Sequence, residues 1–173
     1  MTKQHQTSAQ ASRAMLETFG QLSLTMLYET PLSLAWRINF VANFFTGPIY
    51  RDIGERFGLS RPEFVILFCL AQNTGLVARD ICLLTGLPKP SISRAVSELL
   101  EKGLISRETD ETDKRAKRLT LTGEGKAQLD RVTPLFEARQ AAMCAPLSDT
   151  ERAEFDRLYS KIIFGMPNWV APD

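Results

Sequence analysis

The order of local structural signals between residues 60 and 122 constrains this chain more than any other feature. Helical patterns come first and short strand patterns follow, at 60–72, 78–85 and 89–102 and then at 104–107 and 118–121. A charged segment separates the two strand patterns, so the strands are expected to form a β-hairpin with a long tip. The chain is therefore predicted to fold as a small helical domain that carries one hairpin.

The boundaries of these helices have their own sequence signals. Ser60 stands at an N-cap position, with Pro62 in the first turn and Glu63 at the position that completes a capping box. Gly86-Leu87-Pro88 ends the second helix, and Gly103 closes the third. The second and third helices are thus joined by a tight turn, as in a helix-turn-helix.

The third helix, 89–102, has two contrasting faces. The inner face is apolar, and it consists of Ile92, Ala95, Val96 and Leu99. The outer face is small and polar near its start, and it consists of Pro90, Arg94, Ser97 and Glu101, flanked by Ser91 and Ser93. A helix that enters the DNA major groove must be slim and carry donors at its N-terminal end. The alternative is an ordinary solvated surface helix.

The segment between the strands changes sign along its length. Residues 108–113 are mostly acidic, and Lys114, Arg115, Lys117 and Arg118 follow. The net charge of the whole chain is only +1, so any positive surface for nucleic acid must be local. An aspartate two residues before an arginine can hold the guanidinium in one orientation, and an oriented arginine suits a narrow minor groove. The alternative is a solvated loop of mixed charge.

Taken together, these segments resemble the MarR family. The resemblance is carried by residues 86–96, 99–105, 110–117 and 119–125, and it extends over about residues 34–163. It implies a winged helix-turn-helix in which Arg94 contacts phosphate or a base, while Asp113 and Arg115 form an aspartate–x–arginine motif in the minor groove. The predicted DNA-binding residues are Lys89, Pro90, Ser91, Ser93, Arg94, Ser97, Asp113, Lys114, Arg115 and Lys117.

The predicted fold class is mainly α with a small β-hairpin wing, flanked by N- and C-terminal dimerisation helices. The expected boundaries are a disordered tail at 1–11, an extra helix at 12–30, a dimerisation region at 31–58, the winged helix-turn-helix at 59–122 and C-terminal dimerisation helices at 123–173. Gly47-Pro48 is expected to kink or break the helix that contains it. Apolar stripes at 34–45 and 155–163 would be exposed in a monomer, which predicts a homodimer.

The resemblance also implies a function. We expect a dimeric regulator that recognises a pseudo-palindromic operator in double-stranded DNA and acts as a repressor that a small, possibly aromatic, effector releases. Trp36, Arg37, Phe40 and Phe44 are candidate effector contacts, although an apolar helical stripe is more often dimer core. The alternative function is a winged-helix module that binds protein and not DNA.

Other classes of protein lack the residues they would need. The only histidine is His5, in the polar N-terminal segment, and there is no phosphate-binding glycine loop, so neither an enzyme nor a bound cofactor is expected. The three cysteines, Cys69, Cys82 and Cys144, lack metal-ligand spacing and are expected to be small buried hydrophobes, with a redox-sensing thiol as the alternative. We find no signal peptide and no membrane-length apolar run, so a cytoplasmic location is expected.

Overall fold

The computed structural model describes residues 3–109 and 117–170, with side chains from Ser12 onward. The elements are α1 (Lys3–Tyr28), α2 (Ser33–Phe57), α3 (Arg61–Gln72), α4 (Ala78–Thr85), α5 (Lys89–Glu101), β1 (Ile105–Thr109), β2 (Lys117–Leu121), α6 (Gly123–Cys144), α7 (Asp149–Phe164) and a short 3-10 turn (Met166–Asn168). This order confirms the predicted helical fold with one β-hairpin. No helix in the described ranges is long and apolar enough to cross a bilayer. The chain divides into two compact units, residues 1–52 and 53–173.

The first unit contains α1 and most of α2. Helix α1 begins at Lys3, which differs from the disordered tail predicted for residues 1–11. The segment is polar, but its lysine, glutamines and alanines all have high helix propensity, so polarity alone was a poor guide. Gly20 interrupts the helix with φ 78° and ψ 166°, a conformation that a residue with a Cβ rarely adopts. Helix α1 therefore consists of two helical segments that meet at Gly20.

Helix α2 continues through Pro48, where the sequence suggested a kink or a break. Proline removes one backbone hydrogen bond, at a cost of about 3 kcal/mol in a helix interior. The hydroxyl of Thr46, two residues before the proline, donates to the carbonyl of Ala42 at 2.7 Å. Gly47 has no positive φ, and the helix is not broken there. The helix ends at Phe57, and Gly58 follows with φ 64°.

The second unit is built around the packing of α3 against α5, α4 and α6, with β2 beside α3. Its fully buried side chains come from every one of these elements: Ile66, Leu67, Leu70, Ile81, Ile92, Leu99, Leu119 and Val132. Strands β1 and β2 pair antiparallel, from Ile105 opposite Leu121 to Thr109 opposite Lys117. Leu76, in the loop after α3, adds an isolated bridge to Leu119 and ties the hairpin to the helical core.

A buried carboxylate fixes α5 against α3. Glu63 has only 2% of its surface exposed, and it accepts hydrogen bonds from the backbone N–H of Ser60 at 2.7 Å and from the hydroxyl of Ser60 at 2.8 Å. Lys102, just after α5, donates to Glu63 at 2.5 Å and to the carbonyl of Gly58 at 2.8 Å. Burial by itself would raise the pKa of Glu63, but the bonds from Lys102 and Ser60 outweigh it and lower this pKa.

The start of α6 lies directly against the turn that follows α5. Thr122 caps α6 by accepting from the N–H of Gly125 at 3.0 Å, and its hydroxyl donates to the carbonyl of Gly103 at 2.8 Å. A Cβ on Gly125 would lie 1.9 Å from the carbonyl oxygen of Leu104, so a side chain there requires the backbone to move. Gly123, two residues earlier, has nothing within 4 Å of the position that a Cβ would occupy.

We predict that Gly125→Ala destabilises the protein while Gly123→Ala does not. The clash with the Leu104 carbonyl forces a backbone shift in a packed region, and such overpacking costs about 1–3 kcal/mol or more. Gly123 tests alanine in the same helix without that contact. Urea denaturation of both variants measures the difference, and equal unfolding midpoints would show that the close approach has no energetic consequence.

We also predict that Glu63→Gln removes a pH-dependent part of the stability. Because the pKa of Glu63 is lowered in the folded state, its contribution is present above the unfolded pKa of about 4.3 and is lost as pH falls through the folded pKa. The variant should lose about 1–3 kcal/mol near neutral pH, the scale of a hydrogen-bonded charge. Its deficit relative to the unmodified protein should shrink as the solution is acidified.

Urea denaturation at several pH values provides the measurement for this prediction. Glu151→Gln is the matched control, because Glu151 also accepts from the serine that caps its helix, but on the exposed surface of α7. Its effect should be the smaller of the two. A deficit in the Glu63→Gln protein that is the same at every pH would contradict the ionic role of Glu63.

Candidate nucleic-acid interface

The two faces of α5 are arranged as its sequence pattern predicted. Ile92, Ala95, Val96 and Leu99 are buried. Most of the predicted DNA contacts on this helix are exposed, namely Lys89, Pro90, Ser93, Arg94 and Ser97, and Ser91 is half-buried. The hydroxyl of Ser97 donates back to the carbonyl of Ser93 at 3.3 Å, which leaves its oxygen free to accept another bond. The outer face of α5 is therefore slim, polar and accessible along its first turns.

Arg94 is paired on this face with Glu98, one turn further along α5. The Nε of Arg94 donates to the carboxylate of Glu98 at 2.9 Å. The two side chains differ in exposure, at 83% for Arg94 and 35% for Glu98. Both line an open cleft between the start of α3 and the outer face of α5, whose other walls are Ser60, Pro62, Ser91 and Ala95. The N-terminal end of α3 thus lies beside the predicted recognition helix.

The strand ends that border the connecting loop of the hairpin carry two further cations. Lys117 donates from Nζ to the hydroxyl of Thr109, its cross-strand partner, at 2.7 Å. Arg118 donates to the carbonyl of Gly75 at 3.2 Å, which ties β2 to the loop after α3. Asp113, Lys114 and Arg115 lie outside the described residues, so their roles at the hairpin tip stay predictions.

The four candidate effector contacts lie on α2 in the first unit, where residues of α1 contact three of them. Phe19 of α1 contacts Phe40 and Phe44 edge-on, with both centroid distances at 5.1 Å, and these two rings are 4.5 Å apart. The guanidinium of Arg37 lies over the ring of Tyr28, 5.5 Å from its centroid. Trp36 is 45% exposed. Phe40 and Phe44 therefore pack against other side chains of the same chain, which is expected if these two residues are structural and do not bind an effector.

The three cysteines are free thiols, each partly buried. Burial raises the pKa of Cys69, which keeps this thiol protonated and makes it a weaker nucleophile. Within the described ranges, no group of three or more histidine, cysteine, aspartate or glutamate side chains is placed to hold a metal ion.

The structure adds residues that the sequence interpretation did not include. Ser60 and Pro62 reach the cleft beside Arg94 only through tertiary packing, and sequence spacing gives no indication of it. The pairing of Glu98 with Arg94 could have been predicted, because a glutamate four residues after an arginine lies within reach of it on the same helix. The apolar periodicity of α5 identifies its buried face but gives no partner for Arg94.

Comparison with known families and curated proteins finds similarity to transcriptional regulators. The model of the MarR family matches residues 57–116. An HTH-type transcriptional repressor of Mycobacterium tuberculosis, Rv2887, is 28% identical over 105 residues, which are 61% of this chain and 76% of that protein. A protein of Thauera aromatica named for transcriptional regulation of the hcr operon is 30% identical over 112 residues, covering 65% of this chain and 68% of its own length.

Solved structures agree with these matches. A transcriptional regulator of the MarR family from Silicibacter pomeroyi superposes with a TM-score of 0.67 at 25% identity, over 82% of this chain and 96% of that one. PcaV from Streptomyces coelicolor, solved with its natural ligand, gives 0.62 at 26% identity over 79% and 94% of the two chains. MepR of S. aureus, solved with DNA, gives 0.68 at 20% identity over 78% and 97%, a likeness of fold alone.

Proposed function

Because the chain belongs to the MarR family of transcriptional regulators, we propose that it binds double-stranded DNA as a homodimer and represses transcription at a pseudo-palindromic operator. The observation that carries this proposal is the outer face of α5. Its first turns are small, polar and exposed, and Arg94 is its one long cation beyond Lys89. A helix with this profile can reach base edges in the major groove without steric exclusion.

The arrangement of charge supports the same interpretation. The net charge of +1 gives no general attraction to nucleic acid, so binding has to depend on local cations. Lys89 and Arg94 are exposed on α5, and Lys117 is exposed at the loop end of the hairpin ladder. We propose that the hairpin tip, with Asp113, Lys114 and Arg115, follows the adjacent minor groove. Contacts of this kind give binding that weakens steeply with salt.

Dimerisation is supported by apolar surface in each unit. On α2, Leu34, Trp36, Ile38 and Val41 are each at least 45% exposed. On α7, the exposed apolar side chains are Phe155, Leu158, Tyr159, Ile162, Ile163 and Phe164. Exposed apolar surface of this extent is typical of a protein interface. A two-fold dimer would present two copies of α5 to two half-sites.

The proposal that this chain represses transcription, and that a ligand releases it from DNA, is supported by its relatives. The M. tuberculosis relative is named as a repressor, and PcaV was solved with a natural ligand. We propose that a small, possibly aromatic, effector releases this chain from DNA, with Trp36, Arg37, Phe40 and Phe44 as candidate contacts. The contacts of α1 with Phe40, Phe44 and Arg37 argue against these three residues as effector contacts, so the exposed Trp36 is the better candidate.

We predict that Arg94→Ala weakens binding to a preferred duplex by about 1–3 kcal/mol, the scale of one arginine–base contact. The duplex is obtained by selection from a random-sequence library, and affinity is measured by fluorescence anisotropy at several salt concentrations. Arg157→Ala is the matched control, because Arg157 is also an exposed arginine that pairs with a nearby glutamate on its own helix, α7. Affinity of the Arg94→Ala protein equal to that of the control would remove Arg94 from the interface.

We predict that the protein sediments as a dimer at micromolar concentration and that Ile162→Glu shifts it to monomer. A charge on the α7 face would have to be buried in the interface without a partner. Leu83→Glu is the control, because Leu83 on α4 is 75% exposed and lies on neither apolar face. Analytical ultracentrifugation is the measurement, and an unmodified protein that stays monomeric would contradict the proposed assembly.

A further inference from the structure

The pairing of Arg94 with Glu98 has a consequence for what Arg94 can bind. Only the Nε of Arg94 is engaged, since Glu98 accepts from that nitrogen at 2.9 Å. Its terminal nitrogens, Nη1 and Nη2, have no partner among the described residues. A guanidinium held at Nε presents these two nitrogens as a fixed fork, and such a fork matches the paired acceptors N7 and O6 on the major-groove edge of guanine.

Glu98 also changes the electrostatics beside Arg94. Its side chain is 35% exposed and forms part of the wall of the cleft shared with Ser60 and Ser91. A phosphate that approached Arg94 through this cleft would meet a fixed negative charge only one helical turn away. Base edges carry no net charge and do not suffer this repulsion. Specificity arises from such a difference between a favoured and a disfavoured contact.

We infer that Glu98 is a positioning residue that determines sequence specificity, because it aims the terminal nitrogens of Arg94 at a guanine and disfavours phosphate at the same place. This inference rests on the proposed DNA-binding function. An exposed ion pair at this spacing contributes little to folding stability, so the effect of Glu98 belongs to the choice of DNA and not to the fold.

The test compares affinity for two duplexes, one selected from a random library by the unmodified protein and one with the same bases shuffled. The specificity ratio is the affinity for the first divided by the affinity for the second. Glu98→Ala removes both the group that orients the Arg94 guanidinium and the negative charge that repels phosphate. It should raise affinity for the shuffled duplex roughly two- to fivefold at low salt, the scale of one screened charge. The ratio should fall by at least about fivefold, the lower end of what one arginine–guanine contact supplies.

Two further variants separate the orienting hydrogen bond to Arg94 from the negative charge of Glu98. Glu98→Gln keeps an oxygen that can accept from Nε but loses the charge, so its ratio should lie between those of Glu98→Ala and the unmodified protein. Glu101→Gln removes a charge from the same helix at an exposed position without touching Arg94. It should raise both affinities alike and leave the ratio unchanged. Thermal unfolding of each variant confirms that the fold is kept.

The double substitution Arg94→Ala with Glu98→Ala completes the cycle. Once Arg94 is absent, removal of Glu98 should no longer lower the specificity ratio. An unchanged ratio in Glu98→Ala, or an equal fall in ratio with and without Arg94, would overturn the assignment of Glu98. Absence of any duplex binding by the unmodified protein would overturn the proposed function itself, which is a different outcome.

Discussion

The arrangement of the second unit depends on the way one buried charge is satisfied. The carboxylate of Glu63 lies inside the protein, where an unpaired charge would be very costly, so the chain has to bring donors to it. Ser60 supplies two donors from the turn before α3, and Lys102 supplies the third from the end of α5. Lys102 also bonds the Gly58 carbonyl. Lys102 thus joins the end of α2, the start of α3 and the end of α5. The cleft that Arg94 and Glu98 line lies between the same two helices, α3 and α5.

The local part of this architecture could be predicted from the sequence. The apolar period of 89–102 assigned the buried face of α5 correctly, and Ser60 with Glu63 marked the start of α3. The MarR resemblance is confirmed by the family match and by the relatives. Periodicity and capping are short-range effects, so they are visible in a single stretch of chain.

The long-range part could not be predicted in this way. Lys102 and Glu63 are separated by 39 positions, and Gly125 meets the Leu104 carbonyl only after the hairpin has folded back. Helix α2 continues through Pro48, because tertiary context can override a local Gly-Pro signal. The ring contacts of Phe19 with Phe40 and Phe44 are likewise tertiary, and they change the weight given to two candidate effector contacts.

If α5 occupies the major groove of duplex DNA, methylation interference can detect it. Methylation of guanine at N7 modifies the major-groove edge that a recognition helix would contact. Methylated guanines of a duplex selected by this protein should block binding in two clusters, one per half-site and about 10 base pairs or a multiple of that apart. Binding that is unaffected by N7 methylation and is blocked only by minor-groove modification would show that α5 does not occupy the major groove.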